Sequence, residues 1–354
     1  MKCLLISNIF EEEKSGGEVV RKNNYETLKN ILKDNLDVFI FPIPSTLKNR
    51  LVNLLFGNGY GIGKNQEKKI IEKIEIGKIK IVFIDSSIHG GIAQKIKSKY
   101  PDIKIITFFH NCEIFYLKEK IKKEGLKNVI FFPKVYYNEK CAIKYSDRII
   151  CLNNRDKEDI KKQYKIEKKI EILPLYLKDK YVEREEIPKN EKIEMLFIGS
   201  NFFANREGIE WFIENVLVDI EGKLVVVGRG MEYLKEKYPP SKNLDIIGTV
   251  ESVDKYYETS NVVIAPIFSG SGMKTKTIEA MMFGKSIVGT SEAFEGVDVD
   301  FDKIGGIAET KDMFIEKLKK IEKDIFVNEY SREQYLKKYS QNVIQKYMES
   351  ILTN

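Results

Sequence analysis

Short apolar runs alternate with longer Lys- and Glu-rich segments along almost the whole chain. In the first half these runs lie at residues 3–6, 38–41, 81–84, 105–109, 148–152 and 170–173. Runs this short and this continuously apolar are typical of parallel strands that are buried on both faces. The segments between them, such as residues 18–32, 67–76 and 156–164, have helical spacing. The alternation therefore predicts a doubly wound α/β fold.

The alternation stops once and then starts again. Residues 177–192 are highly charged and have no hydrophobic period, so we predict a linker there. New apolar runs follow at residues 195–198, 224–227, 245–247, 262–266 and 286–288. We therefore expect an N-terminal Rossmann-like domain over 1–176 and a C-terminal one over 193–328. The last segment, 329–354, is predicted to be helical and to pack back toward the first domain.

Composition narrows the class of protein. The 354 residues are 43% hydrophobic and 32% charged, which is typical of a globular chain and not of a disordered one. No apolar run reaches the length of a membrane span, and no signal peptide is visible, so we expect a cytoplasmic protein. Two histidines and four cysteines without C-x-x-C spacing do not suggest a metal site. No nucleic-acid motif is present.

The loop after the first apolar run ends in two adjacent glycines. Ser15 and Glu18, three residues apart, have the pattern of a capping box and place a helix start at this point. Gly16 and Gly17 weaken the first helical turn, but they let a ligand approach its N–H groups and the positive end of its dipole. We predict a phosphate site here, and a flexible tight turn is the alternative.

Residues 269–284 hold the strongest signal and read Ser-Gly-Ser-Gly-Met-Lys-Thr-Lys-Thr-Ile-Glu-Ala-Met-Met-Phe-Gly. They follow an apolar run, so the small residues form a loop at the end of a strand. Lys274 and Lys276 stand in the opening turn of the next helix, where cations oppose the helix dipole. Uncovered N–H groups and two lysines suit a diphosphate. The alternative is that both lysines are solvated and that Glu279 pairs with Lys276.

This segment resembles the C-terminal signature of the group 1 glycosyltransferases (family 4), which are retaining enzymes of GT-B fold. Other stretches agree in order: Phe-Ile-Gly-Ser at 197–200, Val-Val-Val-Gly-Arg-Gly at 225–230, Ile-Gly-Thr-Val at 247–250 and Phe-His-Asn at 109–111. The resemblance is dense over 196–296 and sparse over 20–100. It implies two Rossmann-like domains that face a central cleft, with a nucleotide-sugar donor on the second domain and the acceptor on the first.

The resemblance also implies roles for single residues. Glu279 matches the second glutamate of the E-x7-E motif, which holds the nucleotide ribose, and Lys274 and Lys276 would stabilise the leaving phosphate. His110 matches the acceptor-domain histidine near the reacting carbon, although a buried structural histidine is the alternative. The other implied donor contacts are Gly16, Gly17, Gly248, Val250, Ser271, Gly272, Met273 and Thr275. Ser271 stands where the family has its first glutamate, which contacts the sugar, and this departure leaves the sugar open.

Residues 118–144, from Lys118 to Lys144, form the most basic part of the chain. They hold eight lysines and three glutamates with aromatic and aliphatic side chains between them. Such a surface suits an anionic headgroup or a lipid-linked acceptor, and it would place the protein peripherally at the inner face of the cell membrane. A solvated helix face over an ordinary core is an equal alternative.

Together these features predict a metal-independent glycosyltransferase that needs no cofactor, because the nucleotide-sugar is a substrate. The expected acceptor is a saccharide or a lipid-linked saccharide, and the resemblance implies synthesis of a bacterial surface polysaccharide or glycoconjugate. Two alternatives stay open. One is a nucleotide-sugar epimerase of the same fold, and the other is a non-catalytic subunit that binds a glycan or a partner enzyme.

Overall fold

The computed structural model describes residues 2–8, 16–41, 62–183, 191–239, 241–270 and 272–353. The chain divides into two compact units. The first unit comprises Met1–Pro174 and Ile344–Asn354, and the second comprises Leu175–Val343. The helical C-terminal segment is therefore shared between the two units. Ser15, Ser271 and residues 184–190 of the expected linker lie outside the described residues.

A parallel sheet forms the centre of the first unit. Its strands are β1 (Cys3–Asn8), β2 (Leu36–Phe41), β3 (Ile81–Asp85), β4 (Lys104–Phe109), β5 (Arg148–Cys151) and β6 (Ile170–Ile172). They are arranged in the order β2-β1-β3-β4-β5-β6, and all their pairings are parallel. Every residue of β1 and β3 is buried, because helices cover both faces of the sheet.

Helices connect successive strands of this unit: α1 (Gly16–Leu32), α2 (Lys64–Gly77), α3 (Gly91–Lys99), α4 (Glu113–Glu124), α5 (Phe132–Tyr145) and α6 (Asn154–Tyr164). Each buries one face. In α1 the buried residues are Val20, Asn24, Thr27 and Leu28, whose spacing of three or four residues keeps them on one side of the helix. Two of the four are polar, which shows that this face serves more than packing.

The second unit repeats the plan. Its strands are β7 (Ile193–Ile198), β8 (Gly222–Val227), β9 (Leu244–Gly248), β10 (Val262–Ala265), β11 (Ser286–Gly289) and β12 (Gly305–Ile307). The order is β12-β11-β10-β7-β8-β9, again with parallel pairings only. Its helices are α7 (Phe203–Asn215), α8 (Leu234–Lys237), α9 (Asp254–Thr259), α10 (Thr275–Met282), α11 (Lys311–Lys319) and α12 (Glu329–Gln334). The last helix, α13 (Gln341–Thr353), begins in this unit and ends in the first.

Two glycines bring backbone segments of the second unit into direct contact. A Cβ atom at Gly208 on α7 would lie 1.7 Å from the Pro266 carbonyl oxygen, so the helix packs directly on the loop after β10. A Cβ atom at Gly228, where φ is +145°, would lie 2.0 Å from the Gly199 carbonyl oxygen. These contacts bring together the chain segments that follow β7, β8 and β10.

The predicted α/β fold with two Rossmann-like sheets is confirmed, and the observed strands overlap all the apolar runs. Strand β12 was not predicted. It reads Gly-Gly-Ile, and both glycines have φ of +124°, so it has no apolar run that could reveal it. Tertiary pairing with β11 forms this strand, and local propensity does not.

Candidate functional site

Each sheet has one point at which its strand order reverses. In the first sheet this point lies between β1 and β3, and in the second it lies between β7 and β10. Ligands of open α/β sheets bind outside the carboxyl ends of the strands at such a switch point. The polar residues that follow these four strands are therefore the candidate site residues of each unit.

In the second unit, Lys276 lies beside the end of β7. Its Nζ donates to Asn205 Oδ1 at 2.7 Å and stands 4.5 Å from the centre of the Phe197 ring. A Cβ atom at Gly199 would come within 3.1 Å of the same Nζ, so the absence of a side chain there leaves room for the ammonium. Burial, followed by the nearby Lys274 charge, lowers the pKa of Lys276 to about 7. An anion at this position would restore the charged form.

Lys274 precedes α10 and is held in place by two acceptors. Its Nζ lies 2.7 Å from Glu292 Oε1 and 2.7 Å from the Gly272 carbonyl oxygen. The ion pair is largely sheltered, with side-chain exposures of 13% and 18%. The two lysines thus lie on the opening turn of α10, with extended backbone before the helix begins at Thr275. The alternative in which Lys276 pairs with Glu279 is not what the structure shows, because Lys276 binds Asn205.

Glu279 lies one turn further along α10. Its Oε2 accepts a hydrogen bond of 2.9 Å from the Tyr257 hydroxyl, and the Tyr257 ring stacks on Phe283 at 4.8 Å. Burial and the Glu279 charge raise the pKa of Tyr257, so its hydroxyl remains a donor. This anchoring fixes the orientation of the carboxylate, and a carboxylate retains acceptor capacity for ribose hydroxyls.

The other residues that are predicted to contact the nucleotide-sugar differ in burial and in backbone conformation. Gly272 has φ of +66°, which favours glycine, and Met273 is buried with its sulfur accepting from Leu175 N. Gly248 has φ of +86°, and its carbonyl oxygen accepts from Gly228 N. Val250 is half-buried, and Thr275 is the first residue of α10. Their predicted roles in donor binding stay predictions.

In the first unit, the buried carboxylate of Asp85 binds three side chains at the switch point. Asp85 at the end of β3 accepts from Ser7 Oγ at 2.8 Å, Asn24 Nδ2 at 2.9 Å and His110 Nε2 at 2.8 Å. Burial opposes ionisation, but His110, Asn24 and Ser7 outweigh it and hold the pKa of Asp85 below its usual range. Asp85 therefore fixes the tautomer and orientation of His110, which follows β4 and is 5% exposed.

Two further carboxyl groups lie just beyond His110. Glu139 is fully buried and accepts from Tyr164 Oη at 2.6 Å and from the backbone N of Glu113 at 2.9 Å. Burial, with its hydrogen bonds opposing, raises the pKa of Glu139 to about 7. Burial and the neighbouring Glu139 raise the pKa of Glu113 to about 8. The charge of Glu139 thus makes ionisation of the neighbouring Glu113 less favourable.

The glycine pair lies where the capping pattern placed it. Gly16 and Gly17 are the first two residues of α1, so their N–H groups lie in the uncovered first turn. Asn24, further along the same helix, reaches Asp85. The structure thus brings α1 and His110 together within the first unit, and Lys274, Lys276 and Glu279 together on α10 within the second.

Three polar residues that were not among the predicted site residues hold these groups: Asp85, Asn205 and Glu292. Asp85 could have been found, since it is the first charged residue after the apolar run at 81–84. Asn205 and Glu292 could not, because nothing local distinguishes an amide in a helix or a carboxylate in a surface turn from a solvated one. Only the tertiary fold brings them to the lysines.

A family model of the glycosyl transferases group 1 matches residues 192–324, which include β7 to β11 and both lysines. The similarity to the group 1 glycosyl transferases thus lies within the second unit of the chain. One related protein, described as an uncharacterized 44.6 kDa protein in the cps region of Klebsiella pneumoniae, is 23% identical over 238 residues. That match covers 61% of this chain and 59% of the relative.

Solved structures agree in fold. Sucrose-phosphate synthase from Thermosynechococcus elongatus superposes with a TM-score of 0.70 at 13% identity, over 100% of this chain and 98% of that one. HepE from Anabaena, solved in complex with UDP, gives 0.69 at 11% identity over 100% of both chains. The lipopolysaccharide outer core galactosyltransferase WaaB gives 0.67 at 12% identity, over 100% and 99%. The predicted GT-B fold is confirmed.

Two other kinds of feature are absent from the part of the chain that the structure describes. No helix there is long and apolar enough to cross a membrane. No group of three or more His, Cys, Asp or Glu side chains in that part is arranged to hold a metal ion.

Proposed function

We propose that this protein transfers a sugar, with retention of configuration, from a nucleotide-sugar to a saccharide or lipid-linked acceptor during synthesis of a bacterial surface polysaccharide. The observation that carries the proposal is the cluster of Lys274, Lys276 and Glu279 on the opening turns of α10, inside the region that matches the family. Relatives add support, because HepE was solved with UDP and with UDP-glucose, and the Klebsiella protein belongs to a cps region.

In the second unit, the donor diphosphate would lie at the N-terminus of α10. The lowered pKa of Lys276 and the tethered ammonium of Lys274 describe a site that is prepared for negative charge. Glu279 would accept hydrogen bonds from the ribose hydroxyls. As the bond from the anomeric carbon to the phosphate oxygen breaks, the negative charge on the nucleotide grows, and the two lysines stabilise it without moving. No metal ion or cofactor is required in this scheme.

In the first unit, the acceptor would lie against His110. Its ring is held by Asp85, so a nucleophilic hydroxyl would meet a group of fixed orientation. The acceptor oxygen forms the new bond to the anomeric carbon, and its proton leaves with the nucleotide diphosphate. Substituting His110 by Ala should lower kcat more than the affinity for the donor.

The deciding experiment is a titration with nucleotides and nucleotide-sugars, followed by thermal unfolding. One nucleotide-sugar should raise the midpoint, since a ligand at a hundredfold excess over its Kd adds about 2.7 kcal/mol to the stability. Glu279→Ala should abolish the shift. Glu316→Ala is the matched control, because it removes a surface carboxylate of the same unit that pairs with Lys320 at i+4. If Glu279→Ala binds like the wild type, the assignment of the donor site is wrong.

The same titration separates the alternatives. Conversion of the nucleotide-sugar to its epimer without an acceptor would identify an epimerase. Failure of every nucleotide to shift the unfolding midpoint would favour a non-catalytic subunit, and Ser271 would be the first substitution to revert to Glu.

We further propose that the surface around the 3-10 helix Leu126–Phe131, between α4 and α5, contacts an anionic membrane. Leu126, Val129 and Ile130 are 80%, 43% and 50% exposed there, and residues 118–144 are rich in lysine. Exposed aliphatic groups among cations are typical of interfacial binding.

Vesicle sedimentation tests this proposal with a variant that carries both Leu126→Glu and Ile130→Glu. It should lose binding to phosphatidylglycerol vesicles. Ile76→Glu, at a residue 86% exposed elsewhere in the same unit, should keep it. Equal binding by both variants would refute the proposal.

A further inference from the structure

The inner face of α1 continues past Asp85 toward the helix N-terminus. Gly17, Arg21 and Asn24 are spaced by four and three residues, so they lie on one face. Asn24 binds Asp85 at the end of β3, and Arg21 lies almost one turn closer to the helix start. Arg21 therefore lies beyond the strand ends, on the side of the sheet edge where ligands bind. Its Nη1 is 3.9 Å from where a Cβ atom at Gly17 would be.

Two buried donors at this edge have no hydrogen-bond partner in the described part of the chain. They are Arg21 Nε and Asn8 Nδ2. Asn8 ends β1, is 1% exposed, and is anchored through its Oδ1, which lies 2.6 Å from His89 Nε2. A buried donor without a partner costs about 1–3 kcal/mol of stability. Two such donors at a switch point indicate a ligand with acceptor oxygens.

Two ionisable side chains that sense the Arg21 charge, those of His89 and Glu113, are themselves mostly uncharged. Burial is the main cause that lowers the pKa of His89 to about 3, and the Arg21 charge adds to it, so this ring is neutral. Arg21 also lies close enough to lower the pKa of Glu113, but burial and Glu139 prevail and raise it to about 8. Glu113 is thus mostly uncharged at neutral pH. Asp85 is already engaged by three donors.

We propose that Arg21 and Asn8 bind an oxyanion carried by the acceptor, a phosphate or a carboxylate, beside the hydroxyl that faces His110. The inference rests on the proposed function and adds the chemical class of the acceptor. The acceptor is favoured over the donor because the groups that sense the Arg21 charge, His89 and Glu113, follow β3 and β4 close to His110. A guanidinium and an amide N–H group together suit oxygen anions.

Calorimetric titration with inorganic phosphate tests the anion site without any donor. The wild type should bind phosphate, and Arg21→Gln should weaken binding at least tenfold. Lys29→Gln, which removes an exposed cation near the other end of the same helix, should bind like the wild type. Asn8→Asp keeps the oxygen that faces His89 and replaces the donor by an anion, so it should also lose phosphate. Equal binding by all four proteins, or none by the wild type, would overturn the proposal.

A second titration distinguishes the acceptor from the donor. Arg21→Gln should bind nucleoside diphosphates within twofold of the wild type, whereas a tenfold loss would assign the anion to the donor and overturn the proposal. Competition of phosphate binding by a sugar phosphate or by a uronic acid then identifies which oxyanion the acceptor carries. If nucleotides fail to bind while phosphate binds through Arg21, the proposed function fails and the anion site stands.

Discussion

The pH dependence of donor binding follows from the environment of Lys276. Its pKa of about 7, against an ordinary 10.5, means that half of the unliganded molecules lack this charge at pH 7. A bound diphosphate favours the ammonium and moves the pKa back up, so binding takes up a proton above pH 7. At pH 9 about one molecule in a hundred is charged before binding. The association constant should therefore fall roughly fifty-fold between pH 7 and pH 9, or about 2.3 kcal/mol.

Isothermal titration with a nucleoside diphosphate between pH 7 and 9 measures this slope. The terminal phosphate of the ligand has a pKa of about 6 and is nearly fully ionised over this range. Lys276→Arg is the matched variant, because a guanidinium stays charged throughout, so its affinity should be nearly independent of pH. Buffers of different ionisation enthalpy should report proton uptake by the wild type only. A wild-type affinity that is flat from pH 7 to 9 would refute the reasoning.

The effect of pH on the stability of the unliganded protein has the opposite sign to its effect on donor binding. The folded pKa of Lys276 lies below the unfolded value, so between about 7 and 10.5 the unfolded state binds more protons. Stability of the unliganded protein should thus rise with pH across that window through this residue. Lys276→Met, which removes the ammonium group and keeps an unbranched side chain one atom shorter, should unfold at a higher temperature than the wild type at pH 7 while losing the donor. A lower unfolding midpoint for this variant than for the wild type at pH 7 would contradict the prediction.

Three other outcomes follow from the structure. Gly17→Ala meets only the Arg21 side chain at 3.9 Å, so it should stabilise α1 by about 0.5–1 kcal/mol yet weaken ligand binding, as unfolding and titration together would show. The wild type should lose stability as pH rises from 5 to 8, because the raised pKa of Glu113 makes its ionisation unfavourable in the folded state. Glu113→Gln should reduce this loss. Gly208→Ala, whose Cβ would meet the Pro266 oxygen, should cost about 3 kcal/mol or more in denaturant unfolding.

The sequence was most informative where one physical rule decides the structure. Strands buried on both faces must be apolar throughout, so β1, β3, β4 and β10 could be predicted from short apolar runs alone. The start of the first helix could be placed because Ser15 and Glu18 have the spacing of a capping box, and α1 begins at Gly16. Strand β12 could not be predicted, and neither could the division of α13 between the two units. Both depend on tertiary contacts that leave no local sequence pattern.

The candidate site also combines features that could be predicted from the sequence with features that depend on tertiary contacts. Lys274, Lys276 and Glu279 could be selected from the motif, and the structure gathers them on one helix. Their environment could not be predicted. Lys276 was expected to be either a phosphate ligand or a solvated cation, but it is a partly buried amine bound to Asn205, and burial changes its protonation state. His110 likewise was weighed as functional or structural, and its bond to the buried Asp85 makes it firmly positioned without deciding between the two.

Each unit holds a partly buried cationic side chain beside the carboxyl ends of its central strands. Lys276 donates to a neutral amide and loses much of its charge at neutral pH, and Arg21 has a buried Nε that finds no partner among the described residues. Each arrangement lowers the stability of the unliganded protein, and under the two proposals a bound oxyanion would remove each penalty. If both sites act as proposed, donor and acceptor together should stabilise the protein by more than hydrogen-bond counts alone would give. The stability gained from the donor and the stability gained from the acceptor should also be separable. Lys276→Met should remove the gain from the donor, and Arg21→Gln should remove the gain from the acceptor.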